Sequence, residues 1–152
     1  MRKIKLKSGD YSMVDDEDFE KLNKYTWYLS SKGYDMRSVK SDDGKYSFMP
    51  MQVTILGKAD KGFCVDHINR NPLDNRKSNL RYVTYSQNNM NKLAHKDNIN
   101  GLKGVSGNGK RYEARITVDG KTTRLGRYKT PQEAHEAYKE ACHKYHGEFA
   151  NY

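Results

Sequence analysis

The sequence is poor in the features that define several classes of protein. Its two cysteines, Cys64 and Cys142, lie far apart, a spacing that excludes a zinc cluster and favours buried thiols over a disulfide. No apolar run approaches the length of about 20 residues that a membrane-spanning helix needs. The first residues, MRKIKLKSG, lack the apolar centre of a signal peptide. We therefore expect a cytoplasmic protein without a membrane partner.

Acidic residues are scarce relative to basic ones. The 152 residues include 28 Lys plus Arg against 19 Asp plus Glu, for a net charge of +9. This excess of positive charge favours a polyanionic partner, such as nucleic acid. The length allows one domain, or two small domains with thin cores.

The central stretch, 63–92, combines a clear order of elements with unusual polar residues. Its sequence is FCVDHINRNPLDNRKSNLRYVTYSQNNMNK. The pattern predicts an apolar strand ending at Asp66-His67, a polar loop, a return strand at 80–83 and a short helix. Thr84 and Gln87 have the spacing of a capping box at the start of that helix. If the hairpin closes and the helix packs across it, Asp66 and Asn88 can converge.

These residues suit the cleavage of phosphodiester bonds. Asp66 and Asn88 offer oxygen ligands, which a hard cation such as Mg²⁺ prefers. His67 adjoins the first ligand, and a neutral imidazole there can act as general base for an attacking water. Asn79 cannot titrate, so we expect its amide to hold the loop or the backbone behind His67. The alternative is that Asp66-His67 forms only a strand-end turn and Asn88 only a helix cap.

Asp66-His67, Asn79 and Asn88 resemble the HNH nuclease motif, in the variant whose last position is Asn. The stretch is similar to the core of phage and intron-encoded HNH homing endonucleases. The resemblance implies a ββα-metal hairpin with Asp66 and Asn88 as ligands of one divalent ion, Mg²⁺ or Mn²⁺. It also implies His67 as general base and Asn79 as a structural residue. The pattern predicts a short helix at 51–56, just upstream, where the family's His-Arg pair is replaced by Gln52-Val53. We expect this loss to weaken cleavage.

The last part of the chain, 101–152, has the pattern of a sheet and a helix. Residues at 112–118 alternate between apolar and polar types, and Asp119-Gly120 suits a hairpin turn. Thr130, Pro131 and Glu133 form a strong helix start, and an apolar stripe follows at helical spacing. The sequence thus predicts a three-stranded antiparallel sheet, with its first strand at 103–105 and one face packed on one helix. The polar residues of 112–118, such as Glu113, are expected to face outward.

The opposite face of that sheet is expected to be basic and to bind DNA. A ribbon of strands fits the major groove of B-DNA, where arginine pairs with guanine edges and phosphates. YEARI, LGRYKTPQEAHEAY and GEFANY resemble the Apetala/ethylene-response-factor DNA-binding domain, in which the sheet enters the groove. Plant members commonly have Trp where Arg124 stands, so base preference does not transfer. The candidate DNA-binding residues are Arg111, Arg115, Thr117, Arg124 and Arg127.

Together these patterns predict an α+β protein with two functional parts. A β-rich N-terminal region leads into the ββα-metal hairpin within a nuclease domain at 1–93. A linker at 94–100 joins it to a DNA-binding domain at 101–152. The expected function is a metal-dependent, homing-type endonuclease that nicks duplex DNA, as a monomer or a DNA-induced dimer, in a bacterial or phage-infected cell. Two alternatives stay open: a catalytically degenerate DNA-binding regulator, and a protein that targets structured RNA.

Overall fold

The structure is a computed structural model that describes residues 1–92 and 98–152. It divides into two compact units, Met1–Val83 and Thr84–Tyr152. The predicted linker at 94–100 falls largely on residues outside the described part. The domain limits predicted at 1–93 and 101–152 stay a prediction.

The first unit begins with a hairpin and a short helix around a small apolar core. Strands β1 (Arg2–Lys5) and β2 (Tyr11–Val14) pair antiparallel, and helix α1 (Asp16–Leu22) follows. Alternation along β1 points Ile4 inward while its lysine neighbours stay exposed. Acidic residues in the first turn of α1 interact favourably with the positive end of the helix dipole. The buried core residues are Ile4, Leu6, Val14, Leu22, Trp27 and Met51.

A three-stranded sheet and a short helix complete the upstream half of this unit. The strands are antiparallel in the order β3 (Tyr28–Leu29), β4 (Asp35–Lys40), β5 (Tyr46–Pro50). Helix α2 (Met51–Leu56) starts directly after Pro50, where the helix was expected. The β-rich region that the sequence predicted ahead of the hairpin is therefore present.

The central stretch forms the two predicted strands with a long loop between them. β6 (Phe63–His67) and β7 (Leu80–Thr84) pair in a two-stranded sheet. A 3-10 helix, Lys77–Asn79, ends the loop. The loop docks on β2, because Met13 N donates to Leu73 O at 2.8 Å and Asn75 N donates to Met13 O at 2.8 Å. These backbone bonds attach the loop that follows His67 to the N-terminal hairpin.

The second unit contains a short helix, a sheet and a long helix. Helix α3 (Tyr85–Asn91) begins with the predicted capping box of Thr84 and Gln87. Three antiparallel strands lie in the order β10 (Lys121–Tyr128), β9 (Tyr112–Val118), β8 (Val105–Gly107). Helix α4 (Pro131–Tyr145) starts with the predicted box of Thr130 and Glu133. A 3-10 helix, Gly147–Phe149, follows it.

The α+β fold class is confirmed, including the sheet that packs on one helix. The inward residues Ala114 and Ile116 of β9 are buried against Tyr138 and neighbouring residues of α4. The first strand of this sheet was expected at 103–105 and instead begins at Val105. The reason is Gly104, where φ is +76° and an added Cβ would lie 2.0 Å from the Tyr138 ring. The chain therefore bends there to admit the tyrosine.

A polar residue at the end of a helix usually lies at the surface, but His146 is buried, and its Nε2 lies 3.1 Å from Thr117 O near the end of β9. The cysteines are thiols rather than a disulfide, with Cys142 buried and Cys64 half-buried. No helix in the described ranges is long and apolar enough to cross a membrane.

Candidate active site

The end of β6 places two ionisable side chains in the interior of the first unit. Asp66 is 7% exposed and His67 is 4% exposed. Asp66 Oδ2 accepts a hydrogen bond from Arg81 Nε of β7 at 3.1 Å, within an ion pair. A buried carboxylate needs such compensation, because removing its charge from water is costly. Arg81 was not predicted, although its place on the return strand opposite Asp66 was a usable signal.

His67 is oriented by a loop residue that the sequence reasoning missed. His67 Nε2 lies 3.2 Å from Asn75 Oδ1. The Asn75 amide nitrogen donates to Ser12 Oγ and Asp35 Oδ2, each at 2.9 Å, and to Pro72 O at 3.3 Å. A carbonyl oxygen can only accept, so Asn75 Oδ1 requires the proton of His67 on Nε2. The lone pair of the neutral ring is then on Nδ1.

The surroundings of His67 favour its neutral form. Burial lowers the pKa of His67 below its ordinary value of 6.5. The hydrogen bond that His67 donates to Asn75 and the charges of Asp66 and Asp74 raise this pKa, but their effect is smaller than that of burial. A histidine that is neutral at physiological pH can take a proton from water.

Asn79 holds the loop immediately after His67. Its Nδ2 donates to Asn69 Oδ1 at 2.9 Å and to Asp74 O at 2.8 Å, while its Oδ1 accepts from Asn69 N at 3.0 Å. Its backbone oxygen accepts from Ile68 N at 2.9 Å. These are the contacts expected of an amide that holds the loop. The contribution of Asn79 to catalysis stays a prediction.

A second ion pair makes the same loop rigid. Arg76 donates to both carboxylate oxygens of Asp74, at 2.7 and 2.6 Å, and Asn69 Nδ2 donates to Asp74 Oδ2 at 2.8 Å. The hydrogen bonds from Arg76 hold the pKa of Asp74 below its usual range. Bidentate arginine pairing of this kind is strong and directional. The loop therefore has a fixed shape on the side next to His67.

The two predicted ion ligands carry oxygen atoms, the ligand type that a hard divalent cation prefers. Asp66 supplies a buried carboxylate at the end of β6, and Asn88 supplies an amide on α3 in the second unit. Within residues 1–92 and 98–152 there is no cluster of three or more His, Cys, Asp or Glu side chains that could hold a metal. One carboxylate and one amide suit Mg²⁺, which binds few protein ligands alongside waters and phosphates. That Asp66 and Asn88 act together stays a prediction.

The predicted DNA-binding arginines gather on the solvent face of the C-terminal sheet. Register places Arg124 beside Arg115 and Arg127 beside Glu113. Arg115 contacts Glu113 Oε1, and Arg124 and Arg127 each lie 3.5 Å from Glu113 Oε2. The hydrogen bond from Arg115 contributes most to lowering the pKa of Glu113. Three guanidinium groups therefore surround one carboxylate, and the cluster keeps a net positive charge.

The other two predicted contacts lie near this cluster. Arg111 is exposed just before β9, and Thr117 Oγ1 lies 2.8 Å from Thr122 Oγ1 on the neighbouring strand. Glu113 was predicted to face outward, but its position at the centre of the arginine cluster was not predicted. Strand register decides which outward residues become neighbours.

Comparison with known proteins matches the central stretch and most of the chain. The profile of the HNH endonuclease family matches residues 54–90, a range that holds Asp66, His67, Asn79 and Asn88. The chain is 33% identical over 144 residues to "Uncharacterized HNH endonuclease L560" of Acanthamoeba polyphaga mimivirus, covering 93% of this chain and 74% of that protein. The chain belongs to the HNH endonuclease family.

Membership in this family makes the chain a nuclease with DNA as its substrate. HNH endonucleases generally depend on a divalent metal ion. A second relative, "Protein 3.8" of Escherichia phage T7, is 37% identical over 67 residues, which cover 43% of this chain and 55% of that protein. No solved structure matches the chain. The likeness of 101–152 to the Apetala/ethylene-response-factor domain rests on the sequence motifs alone.

Proposed function

We propose that this HNH endonuclease is a homing-type enzyme that cuts one strand of duplex DNA with Mg²⁺ or Mn²⁺. The nuclease domain is 1–93, with its core at 63–92, and the DNA-binding domain is 101–152. The observation that carries the proposal is His67, a buried neutral imidazole beside a buried carboxylate, with its Nε2 engaged by Asn75. A lone pair on Nδ1 is what a general base requires.

In this mechanism the protein supplies a base, ligands and a rigid loop. His67 takes the proton of the attacking water at Nδ1. Asp66 and Asn88 would hold the divalent ion, which when bound would stabilise negative charge on the phosphate and on the leaving oxygen. Asn79 keeps the backbone behind His67 in place through its bonds to Asn69 and Asp74. Proton transfer of this kind contributes roughly 10²- to 10⁴-fold to a rate.

The C-terminal sheet holds the substrate. Its arginines face solvent and are grouped closely enough to meet a phosphate backbone and the base edges of one groove. Like the motif resemblance, this basic face supports the sheet as the DNA-contacting surface. The contacts come from Arg111, Arg115, Thr117, Arg124 and Arg127.

One site in each chain supports one cut for each bound protomer, and hence a nick. A monomer is sufficient for this product, whereas a DNA-induced dimer would give paired nicks. The two relatives come from a mimivirus and a phage, so we propose that the enzyme acts inside an infected cell, in the cytoplasm if the host is bacterial.

The test is a nicking assay on supercoiled plasmid with Mg²⁺ or Mn²⁺ and with EDTA as the metal control. We compare wild type with His67→Ala and with the matched control His143→Ala, an exposed histidine of α4. The expected result is open circles from wild type and His143→Ala only. Plasmids carrying fragments of viral genomes provide a wide range of target sites.

Each other outcome has a definite meaning. Linear product from wild type would indicate a dimer or paired nicks. Cutting that survives His67→Ala would show that His67 is not the base. Binding without cutting by wild type, on every plasmid, would favour the degenerate DNA-binding regulator. A gel-shift competition between duplex DNA and duplex RNA would reveal an RNA target.

A further inference from the structure

A carboxylate with no place in the mechanism above lies in the core of the first unit. Asp35 is the first residue of β4 and is 0% exposed. Its Oδ2 accepts from Asn75 Nδ2 at 2.9 Å, and its Oδ1 has no hydrogen-bond partner among the described residues. Burial raises the pKa of Asp35 to about 6. A buried carboxyl costs stability unless its partners compensate for lost water, so its presence here needs a reason.

The partners of Asn75 determine which way its amide points. Asp35 Oδ2 and Pro72 O, both facing the amide nitrogen, cannot donate when the carboxyl is ionised. Ser12 Oγ also lies on that side, at 2.9 Å. The amide oxygen of Asn75 must then face His67. The orientation follows from the whole network and not from the single contact with His67.

The backbone of Asn75 is fixed by the same part of the molecule. Asn75 N donates to Met13 O, and Met13 forms a parallel bridge with Asp74. Ser12 and Met13 belong to β2 and Asp35 to β4. All three lie outside the 54–90 range that the HNH family profile matches. The N-terminal region therefore reaches the histidine through one loop residue.

We propose that Asp35, acting through Asn75, is a positioning residue for His67. Its carboxylate fixes the Asn75 amide, and the amide oxygen fixes the His67 tautomer with the proton on Nε2 and the lone pair on Nδ1. The catalytic part of this inference rests on the proposed role of His67 as base. The assignment of the His67 tautomer does not depend on that role. The N-terminal strands are thus part of the active site rather than a separate module.

The physical reason is that a base must present its lone pair to the water in one fixed form. A His ring with a free choice of tautomer would spend part of its time with a proton on the nitrogen that must accept one. Outer residues that orient a functional histidine typically change activity by about 10- to 100-fold when removed. We expect a loss in that range for Asn75→Ala and a loss near its lower end for Asp35→Asn.

The direct test is the tautomer of His67 in the full, ¹⁵N-labelled chain without metal or DNA. Long-range ¹⁵N–¹H spectra near pH 8 distinguish the protonated ring nitrogen from the one with the lone pair. We expect the proton on Nε2 in wild type and a shift toward mixed tautomers in Asn75→Ala and Asp35→Asn. Asp35→Asn is nearly isosteric, so it guards against simple unfolding of the Asn75 variant.

The matched control is Asp18→Asn. Asp18 is another buried acid of the same unit, paired with Lys77 instead of Asn75. It should leave both the His67 signals and cleavage unchanged. With saturating plasmid, Asp35→Asn and Asn75→Ala should lower kcat while KM stays constant, because neither residue belongs to the DNA-binding surface.

Two results would overturn the inference. One is a wild-type His67 with its proton on Nδ1. The other is an unchanged tautomer and kcat in both Asp35→Asn and Asn75→Ala. If wild type does not cut DNA at all, the proposed function fails, but the His67 spectra still decide whether Asp35 and Asn75 set the tautomer.

Discussion

The two units of the molecule use charged residues in opposite ways. In the first unit, Asp35, Asp66 and Asp74 are almost fully buried, and each has a fixed hydrogen-bond partner. In the second unit, Arg115, Arg124 and Arg127 have side chains 58% exposed and share a single carboxylate. Buried charges interact strongly and hold one geometry, whereas exposed charges are screened and exchange partners easily.

This difference matches two different tasks. Chemistry needs groups that are oriented before the substrate arrives. Binding a phosphate backbone needs mobile positive charge that displaces counterions. The contrast predicts that substitutions in the first unit change rate and stability, and that substitutions on the sheet of the second unit change affinity and its salt dependence.

The largest effect is expected at His67. His67→Ala should lower the cleavage rate by roughly 10²- to 10⁴-fold and leave DNA binding unchanged. The wild-type rate should rise with pH, with its midpoint below the ordinary histidine pKa of 6.5, because burial lowers the pKa of His67 and only the neutral ring accepts a proton. Single-turnover rates between pH 5 and 8 measure this rise of the cleavage rate. If the same rise persists in His67→Ala, it comes from another ionisable group.

The next effect concerns stability at the buried ion pair. Asp66→Ala removes the carboxylate that Arg81 contacts and should lower the free energy of unfolding by roughly 3 kcal/mol. Glu113→Ala removes a partly exposed carboxylate whose arginine partners face solvent, so it should cost clearly less. Urea denaturation at pH 7 measures both. Equal losses of stability in the two variants would contradict the contrast between the units. The double variant Asp66→Ala/Arg81→Met should recover part of the stability that Asp66→Ala loses.

Asp35 should make stability depend on pH in an unusual direction. Its folded pKa of about 6 lies above the ordinary 3.8, so its contribution is fully present below pH 3.8 and is lost as pH rises through 6. The difference corresponds to about 3 kcal/mol. The Asp35→Asn variant should not show this loss. Its free energy of unfolding should therefore increase relative to that of wild type between pH 4 and 6. Urea denaturation of both proteins at four pH values tests this. The same pH dependence of the free energy of unfolding in wild type and variant would contradict it.

The smallest effects are expected on the exposed sheet. Arg124→Ala and Arg127→Ala should each weaken DNA binding by about 1 to 3 kcal/mol and lower the salt slope by about one for each phosphate that the variant no longer neutralises. Stability and the rate at saturating DNA should not change. Lys139→Ala, a basic residue of α4 paired with Glu136, is the control. An equal loss of affinity for Lys139→Ala would point to nonspecific attraction by net charge.

Much of the local structure could be predicted because its causes lie within a few residues. The capping boxes at Thr84 and Thr130 need only a partner three positions on, and both helices start where expected. Alternation along β9 was sufficient to separate inward from outward residues. The motif residues Asp66, His67 and Asn79 were predicted from their types and spacing, and all three lie buried at the end of β6 or in the loop that follows.

The contacts that give those residues their properties could not be predicted in the same way. Asn75 is one of many asparagines in a polar loop, and its partners Ser12 and Asp35 lie 63 and 40 residues away in the chain. Asp35 lies in a stretch, 34–39, that has the pattern of a strand, and nothing in the local sequence marks its side chain as buried. Glu113 was expected to be one outward residue among several, and only strand register made it the centre of the arginine cluster.

The sequence by itself determined which elements form and which side chains are chemically able to act, because helix caps, alternation and donor types depend on local spacing. Only the tertiary structure decided that Asp66 faces Arg81, that His67 faces Asn75, and that Asn75 is fixed by Asp35. Such pairings depend on which distant segments share the interior, where an unpaired polar group is costly and each donor must meet an acceptor.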